Sequence, residues 1–217
     1  MYLSRIALHT RRRDTMAALA SPQRIHAAVE SSFPPGSSVK SRNLWRIDHL
    51  GNDTYLLVLS EQKPDFTHIV EQFGWPENDQ KWETKNYNYL MDKIKVGQQW
   101  QFRLRANPVH SVKQPDDKDS GSRGKVYAHI TAKQQEQWLL ERAKKNGFAL
   151  SSGSFKIVHR ETCRFRRNQK TITLGMATFE GILEVTDLAL FLNAMTCGIG
   201  RAKAFGCGLL TIVRPTS

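Results

Sequence analysis

Cys197-Gly198-Ile199-Gly200-Arg201-Ala202-Lys203-Ala204-Phe205-Gly206-Cys207-Gly208 joins two segments of opposite character, and its reading governs the rest of the chain. Before it, residues 186–195 (TDLALFLNAM) are apolar on nearly every face and predict a buried helix capped by Thr186. After it, residues 208–213 (GLLTIV) predict a short buried strand. Four of the fourteen glycines fall here as Gly198, Gly200, Gly206 and Gly208, two Gly-x-Gly pairs around Arg201 and Lys203. The order is helix, glycine loop, strand. A dinucleotide fingerprint or a P-loop needs strand, loop, helix, with phosphate on the helix N-terminus. That order and the lack of Gly-Lys-Ser/Thr exclude those readings. Taken alone, the stretch is a helix C-cap at Gly198 followed by a tight turn. Glycines at this density also let one backbone approach another closely.

Working outward, the preceding segments supply the partners of that helix and strand. Residues 100–112 (WQFRLRANPVHSV) alternate as a long strand bent at Pro108. Gln114 to Lys125 is polar, charged and glycine-bearing, and reads as a mobile loop. Thr131 to Asn146 predicts a helix with a Thr131/Gln134 capping box and Gly147 at its stop. Phe155 to Arg166 and Thr171 to Val185 predict two strands around the turn Arg167-Asn168-Gln169-Lys170. With the last helix and strand this makes a βαββαβ unit.

The first half gives the same pattern. Tyr2 to Leu8 is a strand, followed by the polar run Thr10 to Asp14. Ser21 and Pro22 start a helix that runs to about Phe33, with Ile25, Ala28, Val29 and Phe33 at core spacing. Leu44 to Leu50 and Thr54 to Leu59 flank Gly51-Asn52-Asp53 as a hairpin. Pro64-Asp65 opens a short helix closed by Gly74, and Trp82 to Leu90 supplies a fourth strand. Two tandem ferredoxin-like units follow, an α+β chain of eight strands and four helices. The boundary falls near residue 95, dividing residues 1–94 from 95–217.

Charge separates the halves. Residues 1–94 carry 12 basic and 11 acidic side chains, whereas residues 95–217 carry 20 and 9, out of a chain net of +12. A basic second half points to a polyanion, and nucleic acid fits better than membrane because no basic amphipathic helix carries an aromatic face. Three cysteines without Cys-x-x-Cys suggest reduced thiols in a cytoplasmic setting. Met1-Tyr2-Leu3-Ser4 leads straight into a strand, so no signal peptide is expected, and no apolar run is long enough to span a bilayer.

Chemistry rests on few residues. His26 lies one position past core-facing Ile25, about 100° round the helix and at the edge of the apolar stripe. Such a histidine is commonly a boundary residue, yet imidazole is the side chain best suited to move a proton from a ribose 2′-hydroxyl near neutral pH. His159 and Cys163 share a strand face but lack partners, so neither a metal site nor any cofactor is expected. Arg164, Arg166, Arg167 and Lys170 crowd the hairpin tip. A basic β-ribbon of this kind can line the phosphates of a nucleic-acid helix, or be a solvated turn. No ribonucleoprotein-type aromatic motif is present, which argues against a conventional sheet-surface reader of single-stranded RNA.

The tandem pattern, the string Phe102-Arg103-Leu104-Arg105-Ala106-Asn107-Pro108, the glycine loop running into Leu209-Leu210, and His26 on the first helix together resemble the CasE family. These are the CRISPR RNA-processing endoribonucleases of type I-E systems. The resemblance covers essentially the whole chain, including its Met-Tyr-Leu-Ser start. It implies metal-independent cleavage of precursor CRISPR RNA on the 3′ side of the repeat stem-loop. Attack by the 2′-hydroxyl would leave a 2′,3′-cyclic phosphate and a 5′-hydroxyl. The product hairpin would be retained, and the enzyme would join the other subunits of Cascade. His26 corresponds to the family's active-site histidine, as base or as acid. Arg164 to Lys170 correspond to its RNA-binding hairpin, with Arg166-Arg167 the closest match. Gly198 to Gly208 correspond to its glycine-rich loop near the first helix and the RNA, with Arg201 and Lys203 as charge stabilisers. Where some relatives have a tyrosine three residues before the histidine, this chain has Gln23, which can only hydrogen-bond. The rival expectation is a non-catalytic RNA-hairpin-binding subunit, which needs no imidazole at position 26.

Overall fold

The computed structural model describes residues 1–34, 42–79, 81–112, 124–151, 153–167 and 170–215. The first half runs β1 (Tyr2–Leu8), α1 (Arg13–Leu19), α2 (Pro22–Glu30), β2 (Leu44–Leu50), β3 (Asp53–Ser60), α3 (Thr67–Phe73), β4 (Glu83–Asn86) and α4 (Asn88–Met91). Its sheet has the order β2-β3-β1-β4, antiparallel throughout, as a βαββαβ unit requires.

The second half runs β5 (Gln99–Ala106), β6 (Val109–Val112), β7 (Lys125–Ala128), α5 (Ala132–Lys145), β8 (Phe148–Ala149), β9 (Phe155–Arg167), β10 (Lys170–Val185), α6 (Leu188–Cys197), a 3₁₀ turn (Lys203–Phe205) and β11 (Leu210–Val213). Its sheet has the order β11-β5-β10, with β8 and then β9 pairing along the far side of β10. The short β8 and long β9 together fill the place of one strand, so this sheet repeats the order of the first.

Several expectations need correction. Asp187, not Thr186, caps α6, because its carboxylate accepts the Leu190 N–H at 2.9 Å. That helix is buried on one face only, through Phe191, Ala194 and Met195, while Leu190 is exposed. Residues 100–112 form two strands in separate sheets, because Asn107-Pro108 interrupts pairing and β6 turns away to meet β7. Arg13–Leu19 is a helix where the sequence pattern predicts none; it lacks a side-chain N-cap and buries only Thr15 and Ala18. α2 stops at Glu30, and the segment after Trp82 gives a four-residue strand and then α4. The predicted loop 114–125 lies outside the described residues except for Gly124 and Lys125, and Lys125 begins β7. Most of the extra strands and helices beyond the predicted eight and four are these short pieces.

The capping box of α5 forms as predicted. Thr131 accepts from the Gln134 N–H, and Gln134 accepts from the Thr131 N–H.

Packing follows the alternation of the strands. Ile6, Leu8, Trp45, Leu56 and Val58 meet Ile25 and Val29 of α2 and Ile69, Val70 and Phe73 of α3. The opposite face offers Leu44 and Leu59 to a core built from Trp100, Phe102, Leu104, Trp138, Phe179, Phe191 and Leu210. The first sheet is therefore covered on both faces near the start of β2, and the larger core takes side chains from both sheets. No helix among the described residues is long and apolar enough to cross a membrane.

Candidate functional site

Proline at the first helical position of α2 fixes the backbone for helix entry, and Ile25 and Val29 anchor its inner face. His26, next to Ile25, is held at the rim with its side chain 31% exposed. Its Nδ1 lies 3.7 Å from Oε1 of Glu30, one turn on, at ion-pair distance. The other Glu30 oxygen accepts from Asn43 Nδ2 at 3.4 Å, which ties this carboxylate to the segment entering β2. One turn before His26, the side-chain oxygen of Gln23 is buried and has no hydrogen-bond partner among the described residues.

The glycine loop is folded by its own backbone. Gly198 ends α6 with φ +75°, and the Ile199 N–H donates to the Gly208 carbonyl at 2.9 Å. The Gly208 N–H in turn donates to the Arg105 carbonyl of β5 at 2.7 Å. Between these points Lys203–Phe205 makes a 3₁₀ turn flanked by Ala202 and Gly206, both left-handed. A side chain at position 206 would put its Cβ 2.6 Å from the Trp45 ring, so glycine is needed for the close approach as well as for its φ of +78°.

This loop unites what the sequence separates. The 3₁₀ turn packs on α2, the helix of His26, and on β2. Phe205 meets the Phe165 ring of β9 with centroids 4.9 Å apart. The helix of His26, the glycine loop and the basic hairpin near its tip, where Phe165 lies between Arg164 and Arg166, thus adjoin one another.

Along β9, Arg160, Arg164 and Arg166 are exposed and share one face by alternation, opposite Ala177, Thr173 and Thr171 of β10. Lys170 is exposed and pairs with Arg167 where the hairpin closes; residues 168 and 169, and the side chain of Arg167, lie outside the described residues.

Within the loop the two cations differ. Arg201 is exposed. Lys203 donates from Nζ to the Cys197 carbonyl at 2.6 Å and so closes the C-terminal end of α6. Burial, and then the charge of nearby Arg42, hold its ammonium below the usual lysine range.

Sequence reasoning missed the buried Arg46. Its five N–H groups are all used. Nε and Nη2 donate to the two Asp48 oxygens at 2.8 Å, and Nη1 donates to the Arg103 and Leu209 carbonyls at 2.9 Å. The fifth bond goes to Thr211 Oγ1 at 2.9 Å. Asp48 also lies 3.6 Å from Arg103 Nε, which pairs with Glu180 at 2.9 Å. This network fastens β2 to β5 and β11. The available signal was an Arg/Asp pair at i, i+2 on one strand face, flanked by apolar Leu44, Trp45 and Ile47.

Among the described residues, no group of three or more His, Cys, Asp or Glu side chains is gathered as metal ligands.

Comparison with known proteins identifies relatives over the length of the chain. The sequence model of a family described as CRISPR associated protein matches residues 1–214. The CRISPR-associated endoribonuclease Cse3 of Thermus thermophilus is 28% identical over 228 aligned positions, covering 98% of this chain and 99% of that one. The Cascade subunit CasE of Escherichia coli is 31% identical over 124 positions, covering 55% of this chain and 60% of that protein. A solved structure of Thermus thermophilus Cse3, bound to an RNA representing a pre-cleavage complex, superposes with a TM-score of 0.78 at 25% identity, covering 98% of each chain.

Proposed function

This chain belongs to the CRISPR-associated CasE family, and from that premise we propose that His26, the glycine loop and the β9–β10 hairpin form its ribonuclease centre. The protein is a CRISPR RNA-processing endoribonuclease. One observation carries the assignment of residues. The Lys203–Phe205 turn touches both the helix of His26 and, through Phe205 on Phe165, the stretch of the basic hairpin between Arg164 and Arg166.

The reaction is an internal transesterification. The ribose 2′-oxygen loses its proton and attacks the adjacent phosphorus, and the 5′-oxygen leaves and gains a proton. The products are a 2′,3′-cyclic phosphate and a 5′-hydroxyl, on the 3′ side of the repeat stem-loop. Such chemistry needs in-line placement, one proton-transfer group and positive charge near the phosphorane. His26 supplies the imidazole, in the base or the acid role. With the Glu30 carboxylate on the Nδ1 side of the ring, proton transfer falls to Nε2. Any role of Gln23 is confined to hydrogen bonding. Arg164, Arg166, Arg167 and Lys170 hold the stem, Arg201 adds charge at the loop, and Lys203 braces the loop by bonding the end of α6.

The centre uses no metal, and the product hairpin stays bound as the protein takes its place among Cascade subunits in the cytoplasm. Residues 1–94 carry the histidine and residues 95–217 carry the hairpin and the glycine loop, as two ferredoxin-like domains. The test is single-turnover cleavage of the cognate repeat hairpin in EDTA, with product ends mapped, for the wild type and His26→Ala. Cyclic phosphate from the wild type and none from the variant supports the reading; equal rates, or cutting that requires a divalent ion, refute it.

A further inference from the structure

The β6–β7 ribbon has no part in that centre, yet it assembles an aromatic row that the sequence scatters. Its register sets His110 directly opposite Tyr127, so both rings leave the same face, and His129 follows Tyr127 by two residues on that face. The rings touch. His110 and Tyr127 have centroids 5.9 Å apart with planes at 27°, and His110 and His129 are 4.7 Å apart at 36°. Lys125 closes the row, its Nζ 5.6 Å from the Tyr127 centroid. His110 and Tyr127 are exposed to solvent, and the described ribbon residues carry no carboxylate.

The ribbon is braced against the hairpin proposed to hold RNA. Asn107 Nδ2 donates to the Gly175 carbonyl at 2.8 Å, Arg160 donates to the Ile130 carbonyl, and Ala128 faces Gly175 of β10 closely enough for van der Waals contact with a side chain there. Gly175 pairs with Thr162, two residues below Arg164. The aromatic row therefore starts beside the basic face of the hairpin. Burial, and then the proximity of His110, hold the His129 imidazole below its ordinary range against an opposing pull from Glu141. A neutral ring stacks without repelling its neighbour.

We propose that His110, Tyr127 and His129 form a stacking platform for unpaired nucleotides flanking the RNA stem, with Lys125 on their phosphate. The proposal rests on the RNA-hairpin reading above. Contiguous exposed rings with a cation alongside are the means by which proteins hold single-stranded nucleic acid without reading its sequence. A row without carboxylates in a chain of net charge +12 favours a polyanion over an acidic-rimmed protein contact.

The experiment compares two RNAs on the full-length protein: the bare repeat hairpin, and the same hairpin extended by its own unpaired flanks. Affinities are measured for the wild type, His110→Ala, Tyr127→Ala and Tyr127→Phe. The expected result is that flanks tighten wild-type binding and that each alanine removes about tenfold of that gain. Tyr127→Phe should retain the gain, and bare-hairpin binding should be the same in all four. Crosslinking from 4-thiouridine in the flank to the wild-type protein should map to Tyr127 or His110. Flanks that add nothing in the wild type, a gain that survives both alanines, or crosslinks confined to other elements would each overturn the platform. Equal losses for the bare and extended hairpins would also overturn it. If the bare hairpin itself fails to bind the wild type, it is the RNA-hairpin reading that falls.

Discussion

Arg46→Ala should be among the most destabilising single changes in this protein, and the structure gives its size. The side chain is 1% exposed, and its removal strands three kinds of partner at once. Asp48, itself buried, loses two bonds of 2.8 Å and keeps only Arg103 at 3.6 Å. The Leu209 carbonyl loses its 2.9 Å donor, whereas the Arg103 carbonyl still accepts from Thr211 at 3.4 Å. Breaking a buried ion pair by removing one partner costs about 3–5 kcal/mol, because a desolvated charge is left behind. In a chain of this size each kcal/mol shifts Tm by about 2–4 °C, so a fall of roughly 10 °C is expected. Urea melts and calorimetry of wild type, Arg46→Ala, Asp48→Ala and the double variant provide the assay. The double variant should be much less unstable than the two singles summed, since it strands no buried charge. Cleavage should also fall, because the same bonds hold β2, and with it Trp45 beneath the glycine loop, against β5 and β11. A Tm within about 2 °C of wild type for Arg46→Ala would refute this account of a pair that must be kept whole.

Other outcomes follow from the site. His26→Ala should lower the single-turnover rate by about 10²–10⁴-fold and leave hairpin affinity nearly intact. Glu30→Gln should also slow cleavage while leaving affinity unchanged, and a wild-type rate would reduce the pair to an ordinary helix-surface contact. Arg164→Ala with Arg166→Ala should weaken binding and flatten its log–log salt dependence by about one for each phosphate left without its cation, with less effect at saturating protein. An unchanged slope would make the hairpin a solvated turn. Gly206→Ala should lower both melting temperature and activity, because its Cβ would fall 2.6 Å from the Trp45 ring at a φ of +78°. Burial pushes the Cys207 thiol up to about 12, so the folded state favours the protonated form. The stability this contributes is complete below the unfolded thiol's pKa and is lost as pH rises toward 12. Alkaline melts of Cys207→Ala should therefore fall less steeply than wild type, and a thiol reagent should modify exposed Cys197 well before Cys207.

Features that depend on near neighbours along the chain are legible from the residues alone. Strand alternation, the Pro22 helix start, the Thr131/Gln134 box and the helix–loop–strand order around Gly198 are local, because backbone preference and capping act within a few residues. Those signals carry both βαββαβ units, the basic second half and the position of His26. Features that depend on residues far apart in sequence are settled by the packed chain. A seven-residue helix without a cap, Arg13–Leu19, is stabilised by what covers Thr15 and Ala18, so local pattern was silent. Residues 100–112 alternate throughout, and only the sheet they pair with divides them at Asn107-Pro108. Nothing local marks Arg46 as buried until β5, β11 and the residue before β11 bring two carbonyls and a hydroxyl to it. His110, Tyr127 and His129 look unrelated until a strand register makes them one row. Lys203 is expected from the sequence as a charge stabiliser, yet the fold directs its ammonium to the end of α6. A side chain's chemistry is written in the sequence, but its partners are set by burial, where a desolvated charge or polar group must find another to balance it.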